Sequence, residues 1–290
     1  MSIRCFRVPA SLLIALAAAL LAAATASEPR KLYAQDGTPL TQEQTEARNA
    51  LNQGVEAFKR GQFDEAARLF DHAKQLDPRL LNARLYLATT YASQYIPGAP
   101  SEENLRNGRQ AIEEFKGVLA VDAENLSAID GVGSMLFQMA GAPYSPNFFL
   151  ESKAYHQKHM QIQPDDPEPY YWIGVINWTL SFRGNAELRG RYNQKVRGKE
   201  VRDFDPLPTD LRAQYLRDFG PMIDEGIEAL RHAISLRADY DDAMAYLNLM
   251  YRRKADTVAT KTERARLNEM ADDLLDQIKE IKQRRAQQRN

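Results

Sequence analysis

Residues 54–78 decide the fold of this chain, and they read GVEAFKRGQFDEAARLFDHAKQLDP. Small and large apolar residues alternate there at helical spacing, which predicts two amphipathic helices joined by a turn at residues 59–62. The proline that closes the stretch cannot continue a helix, so the second helix ends before it. The positions that carry the pattern are Gly54, Ala57, Phe58, Phe63, Ala66, Phe70, Ala73 and Pro78.

The same alternation recurs at a period of about 34 residues, and over roughly residues 47–255 the chain resembles the tetratricopeptide repeat (TPR). In this repeat, small residues let two helices approach closely while large residues fill the gap between them. The later units are marked by Leu87, Ala88, Tyr91, Ala111, Phe115 and Val118, by Ile129, Val132, Gly133 and Leu136, by Tyr170, Ile173, Gly174, Gly226, Leu230 and Ala233, and by Met244, Leu247 and Tyr251.

The resemblance implies an all-α fold, namely a right-handed α-solenoid of four to five TPR-like helix pairs over residues 45–255. A charged amphipathic helix over residues 256–290 is expected to cap it, because the open end of a solenoid needs a cover. The apolar stripe of that helix consists of Leu267, Met270, Leu274, Ile278 and Ile281.

An insertion of about forty residues interrupts the fourth helix pair, at about residues 181–222. Insertions in repeat proteins lie on one face, which is often the binding face. Its basic residues are Arg183, Arg189, Arg191, Lys195, Arg197, Lys199 and Arg202. Such a segment could bind acidic protein segments, phosphate groups or, by peripheral contact, anionic lipid heads. The alternative is a solvated helical excursion whose charges keep it soluble.

Residues 1–26 have the parts of a secretory signal peptide. Two arginines precede an apolar run over residues 11–24, and Ala24-Thr-Ala26 forms a small-x-small cleavage site. We therefore expect cleavage near Ala26, export to the periplasm or to the outside, and a mobile leader over residues 27–44. The alternative is an uncleaved anchor, since the apolar run approaches the length that spans a bilayer.

Composition excludes several classes of function. The 290 residues include 38 Lys and Arg against 39 Asp and Glu, and this balance argues against bulk nucleic-acid binding. The single cysteine, Cys5, lies in the predicted signal peptide, so the mature chain has no disulfide or cysteine metal site. His156 and His159 lie three residues apart on a predicted helix, but no matched third ligand is apparent. We therefore expect packing histidines, no metal and no cofactor.

The resemblance also implies a partner-binding groove, because in TPR families the first helix of each pair lines a concave surface that holds peptides. The positions that it assigns to the groove are Arg48, Leu51, Val55, Phe58, Asn82, Leu85, Asp130, Phe137, Tyr171, Val175, Trp178 and Arg252. Aromatic residues among them are candidate anchors for a partner. The alternative is that Phe58 and Trp178 are covered by the leader, the insertion or the C-terminal helix.

The resemblance, together with the predicted signal peptide, implies a non-catalytic protein–protein interaction scaffold or adaptor in the cell envelope, with a protein or peptide as its partner. The P-loop, the His-Glu-x-x-His motif and the Gly-x-Ser-x-Gly motif are all missing from the sequence. Two alternatives stay open. One is a structural protein that self-assembles through the C-terminal helix. The other is an enzyme that uses Asp203, Asp205 and Asp210 of the insertion.

Overall fold

The computed structural model describes residues 40–196, 200–203 and 205–288. In these residues the regular secondary structure is ten α-helices, with one isolated β-bridge between Gly141 and Tyr144 and no strand. The helices are α1 Gln42–Lys59, α2 Phe63–Leu76, α3 Leu81–Gln94, α4 Glu102–Leu119, α5 Leu126–Met139, α6 Pro146–Ile162, α7 Pro167–Lys195, α8 Thr209–Leu236, α9 Asp241–Ala255 and α10 Lys261–Gln288. The predicted signal peptide and most of the predicted leader lie outside the described residues.

The chain divides into two compact units, of which the first ends at Ser145 and contains α1 to α5. Within it α1 packs on α2, and α3 packs on α4. Helix α2 also contacts α3, and α4 contacts α5, so each pair packs on the next element along the chain. Helix α3 contacts both α1 and α5, which places first helices of successive pairs side by side.

The second unit begins at Pro146 and contains α6 to α10. Helix α7 packs along α8, and α9 packs on α10. Helix α6 contacts α7, α8 contacts α9, and the two first helices α7 and α9 are also neighbours. Short connections between packed neighbours are typical of antiparallel helix hairpins. No described helix is long and apolar enough to cross a membrane.

Helix α1 begins earlier than the sequence pattern predicted. Thr41 and Gln44 form a capping box, in which the Gln44 backbone N–H donates to Thr41 Oγ1 (3.1 Å) and the Thr41 N–H donates to Gln44 Oε1 (3.0 Å). Residues 42–44, predicted as part of the leader, are therefore helical. The helix ends at a turn where Gly61 has a φ of 72°, a conformation that glycine adopts without a steric penalty.

Close contact between small and large residues holds the first helix pair together. A Cβ on Gly54 would lie 2.6 Å from Phe70 Cε1, so the ring of α2 sits directly on the backbone of α1. Phe70 is 1% exposed and forms a buried cluster with Ala57, Ala66 and Leu87. Burying a phenylalanine contributes on the order of 2 kcal/mol, and the small residues around it are what let the helices close.

The same contact recurs in the second unit, where a Cβ on Gly174 of α7 would overlap the side chain of Leu230 of α8. Gly54 and Phe70 are 16 residues apart, whereas Gly174 and Leu230 are 56 residues apart, a difference of 40. Those extra residues lengthen both helices: α7 continues to Lys195, and α8 begins at Thr209. The stretch that we predicted as an insertion is thus mostly helix, with residues 196–208 as the connection.

Helix α10 is the packed partner of α9. Its residues Ala271, Leu274, Ile278 and Ile281 are buried, while the predicted stripe residues Leu267 and Met270 are half-buried. The helix starts at Lys261 and not at residue 256, because residues 256–260 form the turn from α9. The buried residues of this apolar stripe therefore pack inside the second unit.

Two glycines of α7 provide a matched test of the close contact. Gly174→Ala is expected to destabilise the protein by about 1–3 kcal/mol, because the added methyl group overpacks the site under Leu230. Gly190→Ala places its methyl group in open space and is expected to stabilise by up to about 1 kcal/mol through helix propensity. Urea unfolding of both variants measures the difference. Equal effects would contradict the close contact.

Candidate functional site

Three aromatic side chains in the second unit form a partly exposed surface on two neighbouring first helices. Trp178 and Phe182 lie four residues apart on α7 and stack, with ring centres 5.1 Å apart and planes at 19°. Tyr246 of α9 meets Trp178 edge-on, with ring centres 5.5 Å apart. All three are half-buried. We call Trp178, Phe182 and Tyr246 the α7–α9 aromatic surface.

A buried layer supports this surface from below. Tyr171 is 7% exposed and contacts the rings of Tyr240 (5.2 Å) and Tyr246 (5.7 Å). The hydroxyl of Tyr240 donates to Glu168 Oε2 at 2.9 Å, and Arg237 pairs with Oε1 of the same carboxylate at 2.9 Å. Burial raises the pKa of the Tyr171 and Tyr240 hydroxyls, so both stay neutral at physiological pH.

Two arginines lie near the C-terminal end of α9, and one of them, Arg253, borders the aromatic surface. The Arg253 guanidinium lies 5.6 Å from the centre of the Phe182 ring, a cation–π distance. Arg252 donates to Asp272 Oδ1 at 2.7 Å and to Asn248 Oδ1 at 3.3 Å. The Arg252 side chain is 37% exposed. Both guanidinium groups have carboxylate partners, Asp272 for Arg252 and Asp256 for Arg253.

The predicted groove positions of the first unit are half-buried for the most part. Leu51, Val55 and Phe58 of α1 pack around the edge of its core, and Phe58 meets Phe63 edge-on at 5.3 Å. Arg48 is half-buried, and so are Asp130 and Phe137 of α5, whereas Asn82 is exposed.

Three predicted groove residues need correction, because the structure buries them. Leu85 is 6% exposed, Tyr171 7% and Val175 2%. Each lies on a first helix, but the neighbouring helices cover it. These residues belong to the packed interior of their own units and are not available to a partner in this structure.

The basic residues of the insertion differ in their exposure to solvent. Arg183 is half-buried, and Arg191, Lys195 and Arg202 are exposed, whereas Arg197 and Lys199 lie outside the described residues. Arg189 is 2% exposed, so it is corrected from a binding residue to a structural one. The exposed Arg191 lies 3.6 Å from Glu187, a surface pair that contributes little to stability.

His156 and His159 of α6 are buried, as expected for packing residues, but the hydrogen-bonding capacity of the His156 ring is unused among the described residues. Neither of its ring nitrogens has a hydrogen-bond partner among the described residues, and its ring stacks on Trp172 at 5.5 Å. His159 Nε2 lies 3.4 Å from Asp166 Oδ2. The part of the chain that the structure describes has no group of three His, Cys, Asp or Glu side chains placed to hold a metal ion.

The acids that could have indicated an enzyme are exposed. Asp203, Asp205 and Asp210 all face solvent, and Asp205 Oδ2 accepts from the Arg202 backbone N–H at 2.9 Å. Asp166 is the N-cap of α7, where its side chain accepts from the Glu168 N–H. The structure therefore assigns Asp166 a capping role at the helix start.

Sequence reasoning placed Trp178 correctly on a first helix but missed Phe182, Tyr246 and Arg253. Phe182 has a local signal, since it lies one helical turn after Trp178. Tyr246 and Arg253 come from a helix more than sixty residues further along the chain, and no local pattern joins them to Trp178.

Comparison with known proteins supports the fold. No protein-family model and no curated protein sequence matches the chain. A crystal structure of MamA aligns with a TM-score of 0.55 at 16% identity, covering 83% of this chain and 94% of that one. MamA 41-end from Desulfovibrio magneticus RS-1 aligns with a TM-score of 0.53 at 16% identity, covering 82% and 96%. YrrB, described as a TPR protein with an unusual peptide-binding site, aligns with a TM-score of 0.49 at 14% identity, covering 79% and 86%.

MamA is a TPR protein, and the alignment extends over most of both chains. Together with ten helices and no strand in the described residues, this likeness shows that the chain has a TPR-type all-α fold. The predicted resemblance is confirmed at that level. The handedness of the solenoid and the number of repeats stay predictions.

His156 makes the stability of the protein sensitive to acid. Burial, with a further contribution from His159, lowers the pKa of His156 from 6.5 to about 3. Between these two pKa values, the His156 side chain is protonated in the unfolded chain and neutral in the folded chain. The free energy of unfolding therefore has its full value above pH 6.5 and decreases as the pH falls below 6.5. From the two pKa values, we expect a loss of about 2 kcal/mol between pH 7 and pH 5.

The matched variants are His156→Phe, which keeps a ring against Trp172, and His72→Gln on the exposed face of α2. Urea unfolding at pH 7 and pH 5 should show a smaller loss for His156→Phe than for the wild type, and an unchanged loss for His72→Gln. The same pH dependence in all three proteins would exclude His156 as its source.

Proposed function

We propose that this protein is a non-catalytic scaffold that holds a segment of another protein on its first helices. The observation that carries the proposal is the α7–α9 aromatic surface, where a tryptophan, a phenylalanine and a tyrosine remain half-exposed on a rigid buried layer. Large aromatic side chains on a preorganised support are the usual energetic centres of protein interfaces. The TPR-type fold is consistent with this role.

The chemistry of the surface favours a partner segment that presents an apolar side chain. That side chain would pack on Trp178 and Phe182. Arg253, which lies over Phe182, is already paired with the buried Asp256, so the aromatic rings supply the contact.

The two other functions considered from the sequence have less support. Self-assembly through α10 needs a free apolar stripe, but Leu274, Ile278 and Ile281 are buried in their own unit. An enzyme in the insertion needs acids in a cleft, but Asp203, Asp205 and Asp210 are exposed.

The cell envelope is the proposed location, and the support is the signal-peptide pattern of residues 1–26. We expect the mature protein to begin at Ser27 and to fractionate with the periplasm or the medium. Mass spectrometry of the N-terminal peptide from the native host checks this. A chain that keeps residues 1–26 and stays with the membrane would instead favour an anchor.

Partner capture tests the scaffold. The tagged full chain is cross-linked in its native host, beside the variants Trp178→Ala and Tyr192→Ala. Tyr192 is another half-buried aromatic residue of α7, and it lies outside the aromatic surface. Removing a tryptophan at an interface centre costs about 2 kcal/mol or more, so Trp178→Ala should bind roughly thirtyfold more weakly. Wild type and Tyr192→Ala should recover the same partner equally.

Two further variants locate the binding surface if Trp178→Ala has no effect. Loss of the partner with Phe137→Ala would move the site to the first unit. Loss with the double variant Arg191→Glu, Lys195→Glu would move it to the exposed basic residues of the insertion. Equal recovery by all variants, each shown to be folded by circular dichroism, would overturn the proposal that first-helix side chains hold the partner.

A further inference from the structure

A buried arginine ties the end of α7 to the segment that follows it. Arg189 is 2% exposed and donates from Nε to Asn185 Oδ1 at 2.7 Å. Its Nη1 donates to the backbone carbonyl of Asp205 at 3.0 Å and also to that of Arg202. Arg189 Nη1 therefore binds two backbone carbonyls of the connection between α7 and α8.

The same arginine reaches the far end of α9. Its Nη2 donates to Asp256 Oδ1 at 3.4 Å, while Asn185 Nδ2 donates to Asp256 Oδ2 at 3.3 Å. Asp256 is 7% exposed and caps α9. Burial raises the pKa of its carboxyl group, and Arg253 and Arg189 oppose that shift. A buried carboxylate of this kind is tolerated only while its partners are in place.

Asp256 is shared, because Arg253 also pairs with it. Arg253 Nη1 lies 3.3 Å from Asp256 Oδ2. The same Arg253 guanidinium lies over the ring of Phe182, which in turn stacks on Trp178. A continuous chain of contacts thus runs from the carbonyls of the connection, through one buried carboxylate, to the aromatic surface.

We propose that Asp256 is a positioning residue, which holds Arg253 against Phe182 and thereby sets the orientation of Trp178. Arg189 keeps Asp256 in place and, through its carbonyl contacts, joins the connection between α7 and α8 to the same device. The importance of these contacts for partner binding rests on the proposed function, but the positioning of Arg253 by Asp256 does not. The forty extra residues of the insertion thereby serve to shape the surface next to them.

The arrangement distinguishes this network from an ordinary stabilising ion pair. Lys254, two residues before Asp256, pairs with Asp224 at 2.8 Å, but that pair is partly exposed and has no contact with the aromatic surface among those described. Loss of the Lys254–Asp224 pair is expected to lower stability without changing the surroundings of Trp178. The two residues therefore form a matched comparison within one turn of α9.

The experiment uses Trp178 as its own reporter. The full chain has two tryptophans, so Trp172→Phe leaves Trp178 as the single source of tryptophan fluorescence. In that background, Asp256→Asn and Arg253→Gln are expected to shift the Trp178 emission to the red and to increase its quenching by acrylamide. Lys254→Gln is expected to leave both unchanged. Far-UV circular dichroism and urea unfolding follow the fold of each variant.

A double-mutant cycle keeps the proposal testable if Asp256→Asn is unstable. Arg253→Gln and Phe182→Leu are expected to be non-additive, with a departure of more than about twofold in the unfolding equilibrium constant, because both remove the same contact. Additive effects, or a stability loss in Asp256→Asn with an unchanged Trp178 spectrum, would overturn the proposal. An identical spectral change in Lys254→Gln would also overturn it.

The two proposals fail separately. If the spectra change as expected but Trp178→Ala recovers the partner normally, the positioning device stands and the scaffold surface lies elsewhere. If Trp178→Ala loses the partner but the spectra stay constant, the scaffold surface stands and Asp256 is structural only.

Discussion

The helix pairs α1–α2 and α7–α8 depend on one constraint, which is the direct contact of a large apolar side chain with a glycine of the neighbouring helix. Phe70 lies on Gly54 and Leu230 on Gly174, and a methyl group at either glycine would overlap the side chain above it. Because packed interiors do not compress, such a contact sets both the distance between helices and their register. Trp178 follows Gly174 by four residues, so the same contact places the aromatic surface.

The insertion illustrates how additional chain is accommodated without disturbing that register. It lengthens α7 and α8 as a hairpin, and Tyr215 of α8 packs against α7 with its hydroxyl donating to the carbonyl of Ser181. The polar groups at its end converge on Arg189 and Asp256. Replacing such buried ion pairs by apolar residues is often neutral for stability, whereas removing one partner alone is strongly destabilising. The contacts of Arg189 and Asn185 with Asp256 join the ends of α7 and α9.

Much of the fold could be predicted from the sequence, because helix periodicity and the alternation of small and large residues are local properties. The helix start at Thr41 was missed although its signal is present, since Thr41 and Gln44 have the spacing of a capping box. The sequence named one member of the aromatic surface, Trp178, as a groove residue, and that placement stays a prediction. Phe182, Tyr246 and Arg253 join Trp178 only through packing.

The sequence by itself determined the class of structure, the pairs of helices and the position of the long insertion, because the spacing of apolar residues decides which face of each helix is buried. Only the tertiary structure decided which polar and aromatic residues remain accessible. Tyr171 is covered by Tyr240 and Tyr246, and Arg189 is paired with Asp256, which is 67 residues away. Exposure depends on neighbours that are distant in the chain, and no local pattern contains that information.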